Sequence, residues 1–240
     1  MKLDVLVFAA HPDDAELGCA GTILKLIDNG YKVGIIDLTK GDLGSRGTPE
    51  LRIQESAAAS ILLGLSAREN LGFRDGFFEQ DEAHQKDIIR IVRKYQPELV
   101  IANAPHDRHP DHGRASKLVR DAIFYSGLRM IKTELDGEDQ EAWRPKRFCF
   151  YIQDHALEPD FVIDVTPYWE KKCEAIKAFG SQFFDPESKR DEPQTYISSK
   201  GFWDFLEARA RDMGHRAGAL YGEGFISETP LLIKTPMDLI

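Results

Sequence analysis

Leu3-Asp4-Val5-Leu6-Val7-Phe8-Ala9-Ala10 runs straight into His11-Pro12-Asp13-Asp14-Ala15-Glu16-Leu17-Gly18. The first half is an apolar run of strand length. From Ala15 onward Leu17, Ala20, Ile23, Leu24 and Ile27 recur at helical spacing, and Asn29-Gly30 stops the pattern, so the chain predicts strand 3–9 and helix 15–29. The turn between them carries a histidine, a proline, two aspartates and a glutamate. In an open parallel sheet such a turn sits at the carboxyl end of its strand, where ligands bind. A nucleotide-binding turn there would be G-x-G-x-x-G, with backbone close to a phosphate. Carboxylates repel phosphate and attract cations. The position is that of a ligand crevice with the sign of the ligand reversed.

The rest of the chain repeats the strand–helix alternation. Val33–Leu38 reads as a second strand, residues 39–48 as a glycine-studded loop, and 49–63 as a helix opened by Pro49. Residues 70–72 read as a short strand or turn, 82–95 as an amphipathic helix closed by Pro97, and 99–102 as a buried strand. A helix over 112–126, strands at 148–153 and 161–165, and helices near 167–179 and 199–213 follow. This order predicts an α/β, Rossmann-like fold: a mostly parallel sheet with helices on both faces. With no repeat, linker or low-complexity tract, residues 1–240 read as one domain. Glu134–Glu141 reads as a solvated acidic excursion.

The 240 residues, 42% hydrophobic and 30% charged, match an ordinary globular composition and can bury a sizeable core. The net charge of −9 argues against a nucleic-acid groove. Met1-Lys-Leu-Asp leads directly into the strand, which carries the expectation of no signal peptide, and no apolar stretch is long enough for a membrane span. Cys19, Cys149 and Cys173 are far apart with no C-x-x-C, the pattern of buried thiols in a reduced, cytoplasmic protein.

A second stretch joins the first. Pro105-His106-Asp107-Arg108-His109-Pro110-Asp111-His112 follows the buried strand 99–102, so it too lies at a carboxyl end of the sheet. Facing each other, the two turns would bring His11, Asp14 and His112 together, two imidazoles and one carboxylate, a catalytic Zn²⁺ set with one position left for water. Fe²⁺, Co²⁺ and Mn²⁺ accept the same donors. Each turn alone could be a helix cap, with Asp13 or Asp14 capping the first helix and Asp111 the second. Two His-Pro-Asp turns, each after a buried strand, favour the metal.

His11-Pro-Asp-Asp14 with His109-Pro-Asp-His112, in this strand–helix order, resembles the PIG-L/LmbE-like N-acetylglucosaminyl deacetylase superfamily. The later stretches Arg190-Asp-Glu-Pro-Gln-Thr-Tyr196 and Phe205–Arg211 resemble its bacillithiol-pathway branch, whose substrate is N-acetylglucosaminyl-malate. The resemblance implies a Rossmann-like fold, one zinc per chain held by His11, Asp14 and His112, and often a hexamer. It implies Asp13 as general base and His109 as the group that stabilises or protonates the tetrahedral intermediate, in an amide hydrolysis releasing acetate. A chitobiose-like or mycothiol-type acetamido sugar is the alternative substrate; a non-catalytic metal-binding module is a distant third. Asp111 is expected either to orient a histidine or to cap its helix. For an acidic conjugate, Arg52 and Arg108 near the carboxyl edge are the expected substrate contacts, with Lys40 and Arg46 behind them. The plain alternative for Arg52 is an ion pair with Glu50 or Glu55. Tyr196 is the expected contact to sugar or intermediate.

Overall fold

The computed structural model describes residues 1–185 and 191–239; Arg190, which opens one of the stretches above, lies outside them. The chain forms β1 (Val5–Ala9), α1 (Asp14–Asp28), β2 (Val33–Thr39), α2 (Pro49–Leu63), β3 (Ala67–Phe73), α3 (Glu82–Tyr95), β4 (Leu99–Asn103) and α4 (Pro110–Ser126). It continues through β5 (Glu134–Leu135), β6 (Glu138–Asp139), β7 (Arg147–Tyr151), β8 (Phe161–Asp164), α5 (Trp169–Lys177), α6 (Lys200–Ala217) and β9 (Gly222–Ser227). Seven strands make the central sheet in the order β3-β2-β1-β4-β7-β9-β8. The first five are parallel, and β9 pairs antiparallel with both neighbours. The expected mostly parallel α/β sheet is the one found.

Side-chain alternation along β1 separates the two faces. Leu6 and Phe8 pack with α3 and α4 residues such as Ile88, Val92, Leu118 and Val119. Val5, Val7 and Ala9 pack with Ala20, Ile23 and Leu24 of α1 and Ala175 of α5. Both faces are covered, so β1, β2 and β4 are buried along nearly their whole length. A third cluster joins Leu17 and Ala59 to Phe179, Phe183, Phe202 and Leu206, docking α6 beside α1 and α2.

Val5 pairs with Val33 on one side and Leu99 on the other. The strand order therefore reverses between β1 and β4, and the turns after these two strands face each other across the carboxyl edge. Three features depart from the sequence reading. β3 is a full seven-residue edge strand, not a turn; Arg68, Glu69 and Asn70 hide it from an apolar search, as charged edge strands do. β9, Gly-Glu-Gly-Phe-Ile-Ser, carries too little alternation to be read from sequence. Helix α4 begins at Pro110, two residues early, because proline is pre-set for a first helical turn. The Glu134–Glu141 excursion is a small hairpin, β5–β6. Among the described residues, no helix is long and apolar enough to cross a membrane.

Candidate metal centre and active site

The turn after β1 is bent by Asp13, whose φ of 116° lies in the left-handed region that non-glycine residues avoid. Hydrogen bonds on every side hold it there. Leu17 N–H donates to Asp13 O at 2.9 Å, Asp14 N–H to His11 O at 3.3 Å, and Arg52 Nη2 donates to Pro12 O. The bend turns the two adjacent carboxylates apart. Asp13 Oδ2 accepts from Arg52 Nη2 at 2.9 Å.

Asp14 is gripped through both oxygens. Oδ2 accepts from His11 N–H at 2.9 Å and Asn103 Nδ2 at 3.1 Å; Oδ1 accepts from Gln153 Nε2 at 2.7 Å. His112 Nε2 lies 3.1 Å from Oδ1 and His11 Nδ1 3.5 Å from Oδ2. Asn103 ends β4 and Gln153 follows β7, so strands on the α4 side of β1 supply the amides.

Each imidazole is oriented from behind. His11 Nε2 lies 3.0 Å from Asp75 and 3.3 Å from Asp111, leaving Nδ1 toward Asp14. His112 Nδ1 lies 2.7 Å from Asp107, leaving Nε2 toward Asp14. His109 is the N-cap of α4: its Nδ1 accepts from Asp111 N–H at 3.2 Å. The accepting nitrogen carries no proton, so the remaining ring N–H of His109 is Nε2. Asp111 therefore does not cap α4. It faces His11, accepts from Gly76 N–H at 2.8 Å and pairs with Arg114.

Charge follows this geometry. Burial opposes the ionised form of Asp14, yet His112 and His11 hold its carboxyl well below the usual range. Burial likewise works against protonated His112, but Asp14 and Asp107 outweigh it and raise its pKa to about 9. His11 is raised by the same contest, won by Asp111, Asp14 and Asp75. His109 is lowered, first by burial and then by His11 and His112. Asp13 is pushed up to about 7 by burial, against the pull of Arg52.

The donors suit a divalent cation. His11, His109 and His112 offer ring nitrogens within 4.8 Å of one another, as do His11, Asp75 and Asp111 among themselves. Asp14 touches both His11 and His112. The surrounding carboxylates demand positive charge, which protons on His11 and His112 meet; a cation that displaces those protons meets the same demand.

The centre opens into a cleft of about 380 Å³ whose walls include Arg52, Arg108, Gln153, Thr195 and Tyr196. Arg52 is buried, and its guanidinium is engaged by Asp13, Pro12 O and Gln182 Oε1 (3.0 Å) rather than by Glu50 or Glu55. Glu55 instead accepts from Ser181 N–H and Oγ, both at 2.7 Å. Arg108 stands at the rim with its side chain 45% exposed, 3.6 Å from Asp154 and stacked 4.5 Å over the Tyr196 ring. Arg46 turns away to Ser181 O, Pro193 O and Glu192, and Lys40 faces a separate surface groove. Glu16 is buried against Arg68. His106, His155 and His215 are exposed, and His84 pairs with Asp81. Asp75, Asp107, Asn103, Gln153 and Gln182 join the site without having been singled out by the sequence reading. Two of them carry a signal: Asn103 is a polar residue at the carboxyl end of a buried strand, and Asp107 lies between His106 and His109.

Residues 6–123 match the family described as GlcNAc-PI de-N-acetylase, PIG-L. The chain is 28% identical to the diacetylchitobiose deacetylase of Thermococcus kodakarensis, over 92% of this chain and 81% of that protein. It is also 28% identical to a Bacillus subtilis protein described as probable N-acetyl-alpha-D-glucosaminyl L-malate deacetylase 2, over 85% of this chain and 98% of that one. Among solved structures, a conserved protein from Thermus thermophilus, TT1542, superimposes with a TM-score of 0.85 at 36% identity, covering 98% of both chains. Both facing turns lie within the matched residues, and residues 6–123 of this chain form a PIG-L family domain.

Proposed function

We propose that the chain hydrolyses the N-acetyl group of an N-acetylglucosaminyl conjugate, with zinc held by His11, Asp14 and His112. The convergence of those three side chains beside the unengaged side of Asp13, at the floor of an open cleft, supports the reading most directly. Zinc at such a site lowers the pKa of water toward neutrality and polarises an amide carbonyl. Asp13 takes a proton from the attacking water and returns it to the leaving amine; burial raises its carboxyl above the usual carboxylate range, which strengthens it as a proton acceptor. Arg52 holds Asp13 from behind and leaves the other carboxylate oxygen for this work. His109 donates from Nε2–H to the developing oxyanion. The neutral ring retains the N-cap bond to Asp111 N–H, so of the two roles expected of His109 we assign it stabilisation of the intermediate as a hydrogen-bond donor.

The conjugate we assign is N-acetylglucosaminyl-malate. With Arg52 engaged, Arg108 is, among the described residues lining the cleft, the cation left to meet an aglycone carboxylate. One observation favours a second reading: Tyr196 is 45% exposed at the same rim, and a flat aromatic face suits the second ring of a disaccharide such as diacetylchitobiose. Acetate release from N-acetylglucosaminyl-malate, diacetylchitobiose and N-acetylglucosamine, with zinc-loaded and chelator-stripped protein, tests both. Zinc-dependent preference for the malate glycoside is the expected result. Preference for the disaccharide keeps the deacetylase and reassigns the rim. No release from any of the three, with zinc bound, overturns the reading.

A further inference from the structure

Helix α1 is two helices end to end. Its backbone breaks at Cys19 (φ −148°, ψ 22°), so residues 14–18 and 20–28 each have ends of their own. A break frees carbonyls at the end of the first piece and N–H groups at the start of the second. Charged side chains from far along the chain satisfy both. Leu17 O accepts from Lys172 Nζ at 3.0 Å and from Arg209 Nη2 at 2.9 Å. Gly21 and Thr22 N–H donate to Glu223 Oε1 and Oε2 at 2.9 and 2.7 Å. Lys172 Nζ also donates to Glu223 Oε1 at 2.6 Å, which closes the arrangement. The signs are those that helix ends favour, cations at the carboxyl end and an anion at the amino end.

A buried ion pair is a poor source of net stability, since apolar replacements often do as well. It is a good device for fixing where a helix breaks. The break matters because Leu17 joins it to the centre: its N–H holds Asp13 O at 2.9 Å, its carbonyl is held by the two cations, and its side chain lines the cleft. Asp13 needs such support, because its left-handed backbone persists only where its surroundings over-determine it. The fit is close on both sides: a Cβ at Gly18 would come 2.2 Å from the Tyr151 ring, and one at Gly21 would come 2.6 Å from Val165.

We infer that Lys172, Arg209 and Glu223 are positioning residues, which pin the break in α1 and thereby hold the Asp13–Asp14 turn in the geometry that binds the metal and carries the proton. The inference rests on the roles proposed above for Asp13 and Asp14. Zinc affinity by competition with a chromophoric chelator, kcat and KM for acetate release, and thermal unfolding are measured on the wild type and on Lys172→Met, Glu223→Gln and Arg209→Met. Arg93→Met is the control: Arg93 is buried and bonds Ser126 O, Leu128 O, Ile131 O and Thr133, none of which lines the cleft. In Lys172→Met and Glu223→Gln, zinc affinity falls about 10- to 100-fold, the range for groups that orient metal ligands. Their kcat falls with KM little changed, while Arg93→Met loses thermal stability and keeps its zinc affinity. Should those two variants fail to fold, Arg209→Met carries the test, since it removes one donor to Leu17 O and leaves the ion pair in place. Folded variants with wild-type zinc affinity and kcat overturn the inference, as do losses no larger than those of Arg93→Met. If the wild type binds and turns over but the variants match it, only this inference falls. A wild type that does neither removes the functional reading, and this inference with it.

Discussion

His11-Pro12-Asp13 and His109-Pro110-Asp111 are the same three residues after the same kind of strand, yet they enter their helices differently. In the first, Asp13 takes a left-handed backbone and α1 starts at Asp14. In the second, His109 is extended (φ −86°, ψ 129°), Pro110 starts α4, and Asp111 already lies inside the helix. The two aspartates consequently do different work. Asp13 borders the cleft and faces Arg52. Asp111 is 1% exposed and faces His11, Gly76 N–H and Arg114. The second turn's aspartate thus orients the first turn's histidine. Identical words in the sequence acquire their roles from where the helix begins.

The strongest way to break this comparison is to remove the two carboxylates in turn. Asp13→Asn is expected to lower kcat by about 10²- to 10⁴-fold, the usual worth of general acid–base catalysis, with stoichiometric zinc retained. Asp111→Asn is expected to weaken zinc binding by about 10- to 100-fold and to recover most activity at saturating zinc. Parallel zinc titrations of activity distinguish them. If both variants lose activity without losing zinc, the division of labour is wrong.

Arg52 sharpens the same contrast, because it attends only the first turn. Its positive charge lowers the Asp13 pKa against the upward push of burial. Removing it raises that pKa, and a base is lost as pH falls through its pKa. The acid limb of the kcat/KM profile therefore moves to higher pH in Arg52→Met, by about one unit for a coupling near 1.4 kcal/mol. A cation at the centre pulls Asp13 in the same direction as Arg52, so it lowers both limbs and leaves the sign of their difference unchanged. The loss should be similar for every acetamido substrate. A KM effect confined to acidic conjugates, with an unmoved limb, would mean that Arg52 turns to the substrate instead.

The β1, β2 and β4 runs made the fold legible, because strands buried on both faces read as continuous apolar segments. The turns after β1 and β4 were legible for the opposite reason: charge at the tip of a buried strand has few uses other than a ligand. What the sequence hid came from elements whose partners lie far away. Asp75 stands after an edge strand too polar to be read beyond a short piece at 70–72, so the carboxylate nearest His11 Nε2 went unseen. Gln153 lies 139 positions from the Asp14 it bonds, and Glu223 lies 202 from Gly21. No local pattern encodes such pairings. Arg52 was read as an arginine near an edge; that its guanidinium is buried against Asp13 depends on Gln182, from beyond α5.

The smallest effect isolates the backbone difference from the chemistry. Gly, Ala and Asn are substituted at positions 13 and 109, and thermal unfolding is followed without added metal. At position 13, Gly and Ala both lose the pair with Arg52, so the gap between them reports the left-handed backbone alone. Gly is expected to be more stable by about 1 kcal/mol. At position 109 the backbone is ordinary and capping decides: Asn can replace the Nδ1 acceptor, whereas Gly and Ala offer none and Gly leaves the helix end more open to water, with about 1 kcal/mol between Asn and Ala. In a chain of this length each gap is worth about 2–4 °C in Tm. The expected orders are thus Gly above Asn above Ala at 13, and Asn above Gly above Ala at 109. The same order at both sites would mean that the two turns enter their helices alike, and the different duties of Asp13 and Asp111 would then need a cause other than backbone.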